Sequence, residues 1–242
     1  MAEIKSIEGI IIGDTNYSES SKILNVFTKE YGIIGIMSKG CRRLKSNLRV
    51  VSQKLSYGIF NIYYKENGLS TLISVDTKLF FKNILTDISK IGYSTYLIEL
   101  IEQTYRQNPS EEIYDLLING LLKIEEGLNP LIITNIIELK LLDYLGIGIN
   151  LDCCNICGSK DDIITFSCSS GGYICKNCMT NEKIVSQKSI KVLRMLYYVD
   201  LAKISKLELS TNTIDEIGSF LDEYYDMYSG LYLKSKKFLE KI

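Results

Sequence analysis

Residues 6–38 read SIEGIIIGDTNYSESSKILNVFTKEYGIIGIMS. Three runs within them, 6–12, 22–28 and 33–38, are rich in Ile, Val and Phe, and polar or glycine-bearing segments separate them, which is the pattern of short β-strands. Glu30-Tyr31-Gly32 fits a turn between the second and third. Working outward, 55–64 and 69–75 continue the pattern, and Asn67-Gly68 between them is a strong hairpin signal. The long fourth run sets Tyr57, Ile59 and Tyr63 on one face and Phe60, Ile62 and Tyr64 on the other, as a strongly coiled strand does.

Five strands in about eighty residues predict a small closed or partly open barrel of the oligonucleotide-binding (OB) type, with an SH3-like barrel as the main rival. After Asp76 the period turns helical. Ile88, Ile91, Leu97, Ile98, Ile101 and Tyr105 fall near a 3.6-residue repeat that Asn108-Pro109 ends. Ser110 caps a second helix with Glu111-Glu112 in its first turn and Gly127 beyond its end. Asn129-Pro130 opens a third that stops before Gly146. Two more helices are expected over 188–199 and 213–229. The expected fold class is α+β: a barrel over 1–80, then a helical domain over 81–242 carrying a cysteine-rich insertion at 150–180.

With 46% hydrophobic and 24% charged residues, the 242-residue chain has material for a core and no apolar run long enough for a membrane span. The opening MAEIKSIEGIII lacks the features of a secretory signal, so a reducing cytoplasm is expected. There is no histidine, which removes Ser-His and Cys-His nucleophilic machinery and the usual catalytic zinc ligand sets. Neither a GxxxxGK[ST] loop nor a GxGxxG after a strand is present, so ATP or NAD chemistry is not expected. The net charge of −1 conceals an asymmetry: residues 1–80 hold 11 Lys/Arg against 7 Asp/Glu, net +4, and residues 81–242 hold 17 against 22, net −5. A polyanion answers to that local field rather than to the total.

In a reducing compartment seven cysteines point to metal or redox chemistry rather than to disulfides. Cys154-x-x-Cys157 and Cys175-x-x-Cys178 are two CxxC pairs with 17 residues between them, the spacing of a four-thiolate zinc site. Each pair makes a knuckle, Gly158 and Gly171-Gly172 supply turn backbone, and an intervening hairpin brings the pairs together. Four thiolates leave no open position, so the expected cofactor is one structural Zn2+ per chain. Cys153 is an alternative to Cys154, though it would lengthen the first gap; Cys41 and Cys168 read as ordinary thiols.

The stretch from Lys39 to Lys54 contains Lys39, Arg42, Arg43, Lys45, Arg49 and Lys54, six positive charges and no negative one in 16 residues. It falls in a loop of the expected barrel, where such charge neutralises phosphates without reading bases. A merely solvated face is the alternative. Tyr17, Tyr31, Tyr57, Tyr63 and Tyr64 are candidates either for base stacking or for barrel core, and Lys234, Lys236 and Lys237 form a second basic cluster.

These residues resemble a family. GIIIGDTNYSESSKILNVFTKEYGIIGIMSKGCRRLKS at 9–46 is similar to the opening of the RecO recombination mediators, with the Glu-Tyr-Gly turn and the Lys-Gly-x-Arg-Arg loop. LDCCNICG at 151–158, FS-x3-GGYIC-x2-C from Phe166 and LKSKKFL at 233–239 are similar in their turn. The resemblance implies an OB barrel, a helical domain and a zinc-binding insertion. It also implies a role without nucleotide hydrolysis in recombinational DNA repair: binding single- and double-stranded DNA, annealing complementary strands, and working with RecR to load RecA onto strands coated by single-strand-binding protein. Lys39, Arg42, Arg43 and Lys45 match the family's basic loop. Cys41, where a small residue is usual, and the extra Cys153 and Cys168 depart from it. The rival from another class is a zinc-containing, metal-dependent enzyme acting on nucleic acid, with Asp14, Glu19 or Asp76 holding Mg2+.

Overall fold

The computed structural model describes residues 3–66 and 68–239 and divides the chain into two compact units. The first comprises Met1–Leu85 with Pro109–Asp115, the second Thr86–Asn108 with Leu116–Ile242.

In the first unit β1 (Glu3–Tyr17), β2 (Ser21–Thr28), β3 (Gly32–Ser38), β4 (Tyr57–Tyr64) and β5 (Ser70–Leu79) close into a barrel of order β1-β2-β3-β5-β4. All pairings are antiparallel except β3 with β5, where Ile36 faces Ser70 and Met37 faces Thr71. That order, with a short helix α1 (Leu48–Val51) between β3 and β4, is the OB arrangement rather than the SH3-like one. Ile7, Ile11, Leu24, Val26, Ile36, Phe60, Ile62 and Leu72 fill the interior. Each such side chain withdrawn from water is worth roughly 1.5–3 kcal/mol before the entropy of ordering is counted.

β1 is longer than 6–12 because it serves two neighbours. Glu3 to Ile10 pair with β4, and Gly9 to Tyr17, with an irregularity between Ile11 and Gly13, pair with β2. Asp14-Thr15-Asn16 carry no apolar alternation; cross-strand hydrogen bonding to β2 makes them strand. β4 begins later than expected, at Tyr57, because Leu55 takes φ +70 ahead of it, and β5 runs past Asp76 to Leu79. The Glu30-Tyr31-Gly32 turn is present, with Tyr31 N–H donating to Thr28 Oγ1 at 3.0 Å. Asn67 of the Asn67-Gly68 turn lies outside the described residues. Past β5, α2 (Lys82–Leu85) follows buried Phe81, whose ring meets Tyr57 at 6.3 Å.

The helices of the second unit are α3 (Ile88–Gln107), α4 (Glu111–Glu125), whose first turn belongs to the barrel unit, α5 (Pro130–Tyr144), α6 (Gln187–Tyr198), α7 (Thr211–Tyr228) and α8 (Lys236–Leu239). Asp87 caps α3 by accepting from the N–H groups of Ser89 and Lys90, and Asn129 caps α5 ahead of Pro130. α5 is apolar all round, with Ile132, Ile133, Ile136, Ile137, Leu139, Leu141 and Leu142 all buried, so it is the central helix, packed by α3, α6 and α7. β6 (Ile163–Ser167) and β7 (Gly172–Cys175) form a separate antiparallel hairpin between α5 and α6. No helix among the described residues is long and apolar enough to cross a membrane.

Candidate nucleic-acid interface and metal centre

The loop from β3 to β4 is held at its base and along its path. Ser38 and Ser52, both buried, share a hydroxyl hydrogen bond of 2.8 Å that clips its two ends. Gly40 takes φ +67, a left-handed conformation that glycine adopts without strain, and its N–H donates to Ser21 Oγ at 3.1 Å. The Cys41 side chain is 2% exposed, so it anchors the loop from within; this accounts for a cysteine at that position. Arg42 N–H donates to Ser20 O at 2.9 Å and its guanidinium to Ser18 O at 3.3 Å, which binds the loop to the turn between β1 and β2.

With the backbone fixed, the cations point outward. Lys39, Arg42, Arg43, Lys45 and Arg49 are all exposed, and among the described residues none forms an ion pair. Elsewhere in this unit Lys5, Lys22, Lys29 and Lys78 pair with Glu3, Asp14, Asp115 and Glu8. Five cations without an ion pair are therefore gathered on one loop, with Lys65, beyond β4, a further exposed lysine of this unit. The lysine cluster near the end of the chain differs. Lys236 Nζ lies 2.9 Å from Asp226 and 3.1 Å from Asp222, and the N–H groups of Lys234 and Ser235 donate to the Glu99 carboxylate, so this segment staples α8 to α3 and α7.

The five tyrosines separate by burial. Tyr57 is buried against Phe81 and donates to Glu8, which with burial as the chief cause holds its hydroxyl well above the ordinary phenol value. Tyr31 and Tyr64 pack on each other at 5.2 Å with the Lys5 ammonium over both rings. Tyr17 and Tyr63 are the exposed pair, at 48% and 45%. Of the carboxylates considered for Mg2+, Asp14 is engaged by Lys22 at 2.9 Å and Asp76 by Asn61 Nδ2 at 2.9 Å; they are not gathered into a cluster with Glu19.

In the second unit the sulfurs of Cys154, Cys157, Cys175 and Cys178 lie within 4.8 Å of one another. Cys157 and Cys175 are 3.7 Å apart, far beyond a disulfide bond and close to the edge of about 3.8 Å that a tetrahedron of sulfurs ~2.3 Å from a central ion requires. Two tight turns shape the knuckles. Gly158 at φ +73 donates to Cys154 O at 2.9 Å, and Cys178 and Met179 donate to Cys175 O, each at 3.1 Å. Burial opposes ionisation of Cys154, but backbone N–H groups of Cys157, Cys175 and Ile156 outweigh it and hold the thiol down at about 6. The apolar support is small, Ile174 with half-buried Ile163 and Met179, so the donor set suits a metal that supplies the missing cohesion. These four cysteines could hold a metal ion.

The other thiols stand apart from that cluster. Cys153 turns to Asn150, whose Nδ2 lies 3.4 Å from its sulfur. Cys168 is buried near Phe220 O, and burial pushes its thiol up to about 12. All seven cysteines are free of disulfides. The hairpin is fastened to α7 by the Phe166–Phe220 ring contact at 4.9 Å, and the segment before the first knuckle is fastened to α6 by Arg194, which donates to Leu151 O at 3.1 Å and to Asp152 at 2.7 Å. The sequence reading missed the seryl turn under the basic loop. Its signal was the polar run Ser18-Glu19-Ser20-Ser21, which breaks two apolar strands.

Fold and site together define a class: an OB barrel with an unpaired basic loop, joined to a helical unit with a four-thiol, metal-type knuckle. The family models for the N-terminal and C-terminal parts of recombination protein O match residues 1–81 and 85–237. Curated relatives cover almost the whole chain. The DNA repair protein RecO of Listeria monocytogenes serotype 4a is 36% identical across 99% of this chain and 95% of its own length. That of Bacillus pumilus is 36% identical across 99% and 94%, and that of Bacillus subtilis 34% identical across 97% and 93%. The chain belongs to the RecO family of DNA repair proteins.

Proposed function

We propose that this protein is a recombination mediator that binds DNA through Lys39, Arg42, Arg43, Lys45 and Arg49 and carries one structural Zn2+ on Cys154, Cys157, Cys175 and Cys178. The observation that carries the reading is the anchored loop of five unpaired cations on an OB barrel. Such a loop neutralises phosphates on single or double strands with little preference for sequence. When bound, the zinc cross-links two chain segments and performs no chemistry on substrate, because four thiolates fill its coordination shell.

Annealing follows from the same charge. Cations that bind two strands lower their mutual repulsion, and base pairing provides the remaining free energy, so neither ATP nor strand cleavage is needed. Family membership supports the further role of working with RecR to load RecA, at the nucleoid in the cytoplasm, onto strands coated by single-strand-binding protein. The net negative helical part is the expected docking surface for those proteins. An annealing assay on complementary oligonucleotides coated with single-strand-binding protein, without ATP, should give duplex at a rate that falls as salt rises. Loss of intact oligonucleotide that requires Mg2+ would instead establish a nuclease.

A further inference from the structure

The barrel carries an aromatic side chain that its own packing does not use. Tyr17 is the last residue of β1 and pairs in register with Ser21 across the turn to β2. Its ring is 48% exposed, and among the described residues it makes no hydrogen bond, ring contact or cation contact. Leaving a phenol ring in water forfeits burial that Tyr57 obtains and the packing that Tyr31 and Tyr64 find in each other. The ring sits at the foot of the proposed phosphate-binding loop. Ser18, the next residue, takes φ +53 and presents its carbonyl to the Arg42 guanidinium, while Ser20 O receives the Arg42 N–H. Turn and loop are thus one hydrogen-bonded assembly, with an open aromatic face on one part and unpaired guanidinium and ammonium groups on the other.

We infer that Tyr17 is a stacking platform for an unpaired nucleobase and gives the barrel its discrimination between single-stranded and duplex DNA. The inference rests on the basic loop's proposed role in phosphate binding. A cation contacts the phosphates of either form, so Lys39, Arg42, Arg43, Lys45 and Arg49 cannot by themselves tell one from the other. A ring can, because a base in a duplex has both π-faces covered by its neighbours, whereas a base in a single strand has a face free to stack. Tyr63, the other exposed tyrosine, lies on β4 between Ile4 of β1 and Thr71 of β5, outside the hydrogen-bonded turn that holds Arg42, and serves as the comparison ring.

The test compares Tyr17→Ala, Tyr17→Phe and Tyr63→Ala in the full-length protein, with affinities measured for a mixed-sequence single-stranded oligonucleotide and for the blunt duplex of the same length at one salt concentration. Tyr17→Ala should weaken single-strand binding roughly 5- to 150-fold, the range such a contact is worth, with duplex binding and the salt slope unchanged. Tyr17→Phe should retain wild-type single-strand affinity, since the ring and not the hydroxyl is used, and Tyr63→Ala, whose ring lies outside the Arg42-bound turn, should lose less than Tyr17→Ala. Equal loss for both DNA forms, or no loss with Tyr17→Ala, would overturn the inference. If Arg42→Ala with Arg43→Ala weakens binding and Tyr17→Ala does not, the stacking role fails while the phosphate-binding role stands. If neither variant weakens binding, both fail.

Discussion

Glu138 is a carboxyl in the middle of the most apolar helix of the protein, 6% exposed, accepting the Tyr96 hydroxyl. Burial raises it from 4.5 to about 8; the Tyr96 hydrogen bond favours the charged form and only partly offsets this. The folded chain therefore keeps a proton that the unfolded chain releases. The associated stability is full below the unfolded value of 4.5 and is lost as pH climbs through about 8. Glu138→Gln keeps an acceptor for Tyr96 and removes the ionisation. Its unfolding free energy should be flatter with pH between about 5 and 8 and should gain on the order of 3 kcal/mol over wild type at pH 7. Urea titrations across that range check this, and a parallel offset at every pH would show that Glu138 does not titrate there.

At the scale of elements, the cysteine knuckles were legible because ligand spacing is local: two CxxC pairs and the glycines beside them specify tight turns without reference to the rest of the chain. The proposed zinc predicts one metal per chain in protein prepared without chelator, read by elemental analysis. Cys154→Ser or Cys178→Ser should release it and speed amide exchange across residues 150–180, since a segment whose small core centres on Ile174 depends on the metal for cohesion. Metal content near zero in the unsubstituted protein would remove the zinc from the proposal. The basic loop was legible as charge but not as structure. Nothing local announces that Cys41 turns inward, that Ser38 meets Ser52, or that Arg42 is tied to the β1–β2 turn, because each of those contacts joins residues at least 14 apart in sequence or depends on the closed barrel. The second half of β1 escaped notice for the same reason, its strand character coming from β2.

At the scale of the whole molecule, a net charge of −1 conceals opposed halves, +4 over residues 1–80 and −5 over 81–242. Ion pairing sharpens the contrast, because Lys5, Lys22, Lys29 and Lys78 of the barrel unit have partners and so does Lys236 in the second unit, which leaves the β3–β4 loop as the dominant exposed positive feature of its unit. The proposed assignment of DNA to that loop is tested most directly by the salt dependence of affinity. Replacing Arg42 and Arg43 together by Ala removes two phosphate contacts, so binding to unrelated sequences should weaken by a similar factor, and the slope of log K against log salt should flatten by about 1.4 for single strands and about 1.8 for duplex. An unchanged slope, with affinity intact, would place the phosphates elsewhere on the protein and contradict the assignment.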